Sequence, residues 1–180
     1  MTATPAQFFD TNGELRLDGS LVGGGGATAV LVATKVLTNA QVKALAHPTA
    51  VEIVAAPGSG FALMPIHATA RLTWVADYTN IDSSSNVAIK LGSSSILGQL
   101  DETSGGVSQL LADGEDASGI FPPLALTQQS LAEGVSGYVD GDIENKAVSI
   151  VADNILAGDF TGGNAGNSLK VTLLYYLVTF

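Results

Sequence analysis

The stretch Ser168-Leu169-Lys170-Val171-Thr172-Leu173-Leu174-Tyr175-Tyr176-Leu177-Val178-Thr179-Phe180 decides the fold. Read with the two-residue period of a β-strand, it has one face made of Leu169, Val171, Leu173, Tyr175, Leu177 and Thr179. The other face carries Lys170, Thr172, Leu174, Tyr176, Val178 and Phe180. Both faces are mainly apolar toward the end, which predicts a central strand covered on both sides, by the core or by another subunit. Left bare, so apolar a strand would be an aggregation hazard.

Working outward, the same period recurs. Strands are expected over 147–152, 135–138, 124–126, 87–91, 71–78, 61–69, 50–56 and 27–37. Turn signals separate them, Pro57-Gly58-Ser59-Gly60 among them, while 79–86 reads as a polar loop and 153–167 as a glycine-rich one. Residues 97–118 read as a long loop with short strands, and 128–132 as a turn of helix. One short helix is expected near 38–46. Thr38 and Gln41 have the spacing of a capping box, Val42 and Leu45 share a face, and Pro48 bars continuation beyond His47. Residues 1–26 read as an extended N-terminal arm, jointed by the run Gly23–Gly26, and 27–180 as a single β domain. Many short strands at this spacing predict a sandwich or barrel.

Composition narrows the function. Apolar residues make up 46 % of the chain and charged residues 13 %, against about 25 % charged in an ordinary soluble domain. Ser, Thr, Asn and Gly therefore cover much of the surface, which suits a subunit that buries area against partners. The net charge of −10 is uneven, with eleven acids against two bases, Lys146 and Lys170, in residues 91–180. That balance argues against nucleic-acid binding through a basic patch, because phosphates need cations. No apolar run reaches the length of a membrane helix, and residues 1–10 lack the basic start and apolar core of a signal peptide. With no cysteine, thiolate and disulfide chemistry are absent, as suits a protein made in a reducing cytoplasm.

Catalytic motifs fail one by one. Gly134-Val135-Ser136-Gly137 lacks the spacing of a nucleophile elbow. His47 precedes proline, and His67 lies in an apolar strand, where a structural role outweighs a catalytic one. Two histidines without cysteine form no zinc pattern. Asp140, Asp142 and Glu144 alternate as calcium ligands can, but the spacing is not that of an EF-hand loop, and the segment reads equally as a solvated turn. Asp113, Glu115 and Asp116 read as solvated too. The four-glycine run is followed by Ala27-Thr28, not by the Lys-Ser/Thr of a phosphate loop. Trp74 on a strand reads as core rather than as a sugar platform. These readings predict no enzyme, no cofactor and no metal site.

Two stretches carry a resemblance. The first is the short helix Asn39-Ala40-Gln41-Val42-Lys43-Ala44-Leu45, then Pro48, then Val51-Glu52-Ile53-Val54-Ala55-Ala56-Pro57-Gly58-Ser59-Gly60 and an apolar strand to Leu72. The second is Asn145-Lys146-Ala147-Val148, then Gly158-Asp159-Phe160-Thr161-Gly162-Gly163-Asn164, then Leu169-Lys170-Val171 and Tyr175-Tyr176. Together they resemble head decoration (cement) proteins of tailed bacteriophages, over a third to a half of the chain. The resemblance implies a mainly β fold, an antiparallel β-sandwich or jelly roll. It also implies a homotrimer on the virion's capsid exterior that clamps neighbouring copies of the major capsid protein, with no catalytic residues to carry over. The alternative is a phage tail or host-recognition module that binds a receptor or glycan. Tyr176, Val178 and Phe180 are the candidate interaction residues, because the end of the last strand is apolar on both faces.

Overall fold

The computed structural model describes residues 16–17, 20–21, 29–45, 49–82, 85–92, 95–122, 124, 143–153 and 160–179. The chain divides into two compact units, Met1–Val30 and Leu31–Phe180. In the first, β1 (Arg16–Leu17) pairs antiparallel with β2 (Ser20–Leu21). The glycine joint at 23–26, the strands expected at 135–138 and 124–126 (Leu124 apart), the turn at 128–132, and Phe180 lie outside the described residues.

The second unit is mainly antiparallel β. Its principal strands are β3 (Leu31–Thr38), β4 (Val51–Val54), β5 (Phe61–Thr73), β7 (Asn86–Leu91), β8 (Ser95–Asp101), β9 (Ser118–Ile120), β10 (Val148–Asp153) and β12 (Ser168–Thr179). A small ladder joins β6 (Tyr78–Thr79) to β11 (Thr161–Gly162). One four-stranded sheet has the order β3-β12-β5-β9 and the other β4-β10-β7-β8. Among the eight principal strands the pairing is nested. The first lies beside the last, the second beside the seventh, the third beside the sixth, and the middle two form a hairpin. A long hairpin rolled over on itself produces this order, which is the wrapping of a jelly roll.

The layers meet through the inward residues of the β3-β12-β5-β9 sheet, which alternate along its central strands. Leu37, Leu169 and Leu72 form one inward row, and Ala33, Leu173 and Ala68 another. Leu169, Val171 and Leu173 are fully buried and share one hydrophobic cluster with Val87, Ile89, Val148 and Ile150 of the opposite sheet. Two helices contribute to this core. Helix α1 (Asn39–Leu45) begins with the expected capping box: the Thr38 backbone N–H donates to Gln41 Oε1 at 2.9 Å, and Gln41 N–H donates back to Thr38 Oγ1 at 3.4 Å. It buries Val42 and Leu45.

Helix α2 (Gly106–Leu111) lies within the stretch 97–118, where the sequence predicts a long loop with short strands, and only the helix departs from that expectation. The chain turns through left-handed Gly105, and the carboxylate of Glu102 accepts the Ser108 N–H at 2.7 Å and the Ser108 hydroxyl. Val107, Leu110 and Leu111 then fall on one buried face. Beside it, β9 lies close over β8. A Cβ at position 119 would come within 2.7 Å of Leu100 Cδ1, so a larger residue there would force the Leu100 side chain to shift.

One strand expectation is corrected. The strands expected at 61–69 and 71–78 are one thirteen-residue strand, β5, which ends at Thr73. Its irregularity lies earlier, where Leu174 pairs with His67 but Tyr175 pairs with Pro65, leaving Ile66 as the extra residue of a bulge. Strand β12 is central as expected, and within the chain itself only its Leu169-Val171-Leu173 face is fully buried, which leaves the other face for a partner to cover. Lys170 is exposed, Thr172 and Leu174 are half-buried, and beyond the bulge Leu177 is again exposed.

Candidate interaction surface

The antiparallel register assembles the outer face of the β3-β12-β5-β9 sheet from residues far apart in sequence. Val36, Lys170, Arg71 and Ser118 stand in one cross-strand row. Thr34, Thr172, Thr69 and Ile120 stand in the next, and Val32, Leu174 and His67 in a third. Opposed residues in an antiparallel sheet share a face, so these rows form one continuous surface. It is uncovered: Ile120 is 68 % exposed, Val32 64 % and Val36 54 %. Such values are ordinary for single apolar residues, but here they recur across one sheet face.

Between the first two rows lies a shallow hollow of about 350 Å³, lined by Thr69, Arg71, Ser118, Ile120, Lys170 and Thr172. Two cations oppose each other directly in it, since Lys170 is the cross-strand partner of Arg71. Arg71 reaches Asp116 at 3.9 Å, with both side chains more than half exposed. Lys170 has no ion-pair partner among the described residues.

A second region of interest is the group of loops at 74–77, 113–117 and 163–167. Asn167, nearly fully buried, accepts the N–H groups of Val75 and Ala76 on Oδ1 at 2.9 and 3.1 Å and donates from Nδ2 to the Ala76 carbonyl at 2.7 Å. Asp77 Oδ1 accepts the Trp74 indole N–H at 2.8 Å and the Gly114 N–H at 3.1 Å. Asp116 Oδ1 accepts the Trp74 backbone N–H at 2.7 Å. Gly163, at φ +66°, passes so close to the Tyr78 ring that a Cβ would lie 2.8 Å from it. The two carboxylates thus pin loop backbone, and Trp74 packs against the core as the sequence suggests.

The sequence candidates are dispersed. Tyr176 pairs with Met64 and Val178 with Ala62 at the far end of β12, both half-buried. His67 is half-buried on the outer face, and His47 lies outside the described residues. Glu144 is turned to a structural task. Its Oε1 accepts the Gly60 N–H and, at 3.0 Å, the Ser59 hydroxyl, while Asn145 Oδ1 accepts the Gly58 N–H at 2.8 Å. These bonds, the Gly60 amide first, hold the Glu144 carboxyl below its ordinary range. Asp140 and Asp142 lie outside the described residues. Among the described residues no three His, Asp or Glu side chains gather as metal ligands, and no helix is long and apolar enough to cross a membrane.

Sequence reading missed Arg71 and Lys170. Each belongs by parity to the outer face of its own strand, but only the register shows that they meet. No protein family, curated protein or solved structure matches the chain.

Proposed function

We propose that this chain is a structural protein of a bacteriophage virion, which decorates the outside of the capsid and stabilises it by bridging neighbouring capsomers as a homotrimer. The observation that carries the reading is the uncovered outer sheet face, where Val32, Val36 and Ile120 stand among threonines. A face of this kind serves docking on another protein. The jelly-roll wrapping supports the reading by analogy only, since viral capsid and lectin domains share it with unrelated proteins. The mechanism is mechanical. A protein that binds the assembled shell and not its separate parts stabilises the shell by mass action.

The test is thermal release of DNA from capsids with and without this protein. Earlier release in its absence is expected, and identical release curves overturn the stabilising role. A second reading, a tail or host-recognition module, draws on the loops fixed by Asn167, Asp77 and Asp116, since a preorganised loop group suits receptor or glycan binding. Antibody labelling of purified particles separates the two. Label over the whole head supports decoration, and label confined to the tail tip supports recognition.

A further inference from the structure

We propose that the hollow between Arg71 and Lys170 is the docking site for an acidic, extended polypeptide segment of a partner protein, whose carboxylates lie between the two cations. The inference rests on the reading of this chain as a docking module and gives the partner a chemistry.

Charge placement carries it. The protein has seven cationic side chains against seventeen acidic ones, yet two of the seven oppose each other on adjacent central strands. Like charges directly opposite in a sheet destabilise it. Asp116 relieves this only weakly, because its 3.9 Å contact with Arg71 is solvent-exposed and Lys170 gains nothing from it. An anionic group between the cations removes the repulsion and gains charge-assisted hydrogen bonds, with arginine offering a planar fork to a carboxylate.

The surroundings select the kind of anion. Ser118, Thr69 and Thr172 supply hydroxyls around the cations, which suit the second oxygen of a carboxylate or a peptide group. Ile120 borders the hollow, and Val36 extends the cationic row onto β3. Apolar side chains beside the charges fit a polypeptide that presents both acidic and apolar residues on one face better than they fit a nucleic-acid backbone. The net charge of −10 also repels a polyphosphate at long range, whereas a short acidic segment of a larger partner meets the local cations.

The experiment is an NMR titration of the full chain with a synthetic peptide of Glu-Glu-Val-Val repeats, which shows both residue types on each face when extended, with its Gln-for-Glu twin, and with inorganic phosphate. The Glu peptide is expected to move the amide signals of Thr69, Arg71, Ser118, Ile120, Lys170 and Thr172 together, and to bind less tightly as salt is raised. Arg71→Gln with Lys170→Gln, checked for an otherwise unchanged spectrum, is expected to weaken it at least about tenfold. Equal binding of the Gln twin, equal binding in the double variant, or shifts elsewhere overturn the proposal. So does phosphate that matches the peptide, which marks a simple anion site. Concentration-dependent shifts of the same residues without peptide also overturn it, because they make a second copy the occupant. The peptide result is independent of DNA release from capsids, so either reading can fail while the other stands.

Discussion

The inner and outer faces of the β3-β12-β5-β9 sheet are built from the same strands, one residue out of step, and obey different rules. On the inner face Leu169, Val171 and Leu173 are fully buried, and their neighbours Ala68, Ala70 and Leu72 are equally enclosed. On the outer face the next residues along, Lys170, Thr172 and Leu174, lie beside Arg71, Thr69 and His67, exposed or half-buried, with no layer above them among the described residues. A methyl group on the inner side answers to packing. On the outer side it answers only to whatever docks there. Apolar content alone does not separate the two, because Leu173 and Leu174 are the same residue type.

That pair offers the hardest test. Leu173→Ala is expected to cost about 2–5 kcal/mol in urea unfolding, the range for cavities in close-packed cores. Leu174→Ala, half-buried, is expected to cost about 1 kcal/mol or less. Equal losses would mean that both faces are covered in solution. The next largest effect tests whether a buried polar residue matters as much as the apolar face. Asn167→Ala strands the amides of Val75 and Ala76 and is expected to cost about 1–3 kcal/mol, with amide exchange accelerated in that loop. Protection that survives unchanged would show that water replaces the side chain.

The smallest effect lies on the surface, at Glu144. Its folded pKa is depressed below the ordinary 4.5, so its contribution is present above that value and is lost as pH falls through the lower folded value. Glu144→Gln is expected to flatten this acid limb of the stability profile relative to the parent protein. Superimposable pH profiles would show that the 58–60 turn gains nothing from the carboxylate.

Much of the architecture was legible in the sequence because it rests on local signals. The alternation of 168–179 marks a central strand, and Thr38 with Gln41 announces α1. Helix α2 was hidden because Gly105-Gly106 reads as a breaker and six residues are too few for a helical period to stand out. Val107, Leu110 and Leu111, at spacings of three and four, were the signal available. Strand β5 reads from the sequence as two strands parted at Ala70, and its thirteen residues exceed the usual length of a strand. The docking surface was least legible. Arg71 and Lys170 are ninety-nine positions apart, and their meeting is a property of register, which alternation within one strand does not disclose. For the same reason the sequence pointed to Tyr176 and Val178, while the barest apolar side chains on the sheet are Val32, Val36 and Ile120 on its two outer strands.

The nested pairing also sets the timetable of folding during synthesis. Strand β12 lies between β3 and β5, which do not pair with each other. When the ribosome has made residues 31–167, the first-made strand β3 still has no neighbour in its sheet. Only the β5–β9 ladder can form there, and Leu37, Ala68 and Leu72 face a gap where Leu169, Val171 and Leu173 belong. Residues 168–179 must therefore leave the exit tunnel before this layer exists. Partners so distant in sequence make the final step slow. Until it is complete the exposed strand edges of β3 and β5 invite pairing with other nascent chains, which makes this the interval in which a chaperone has most to offer.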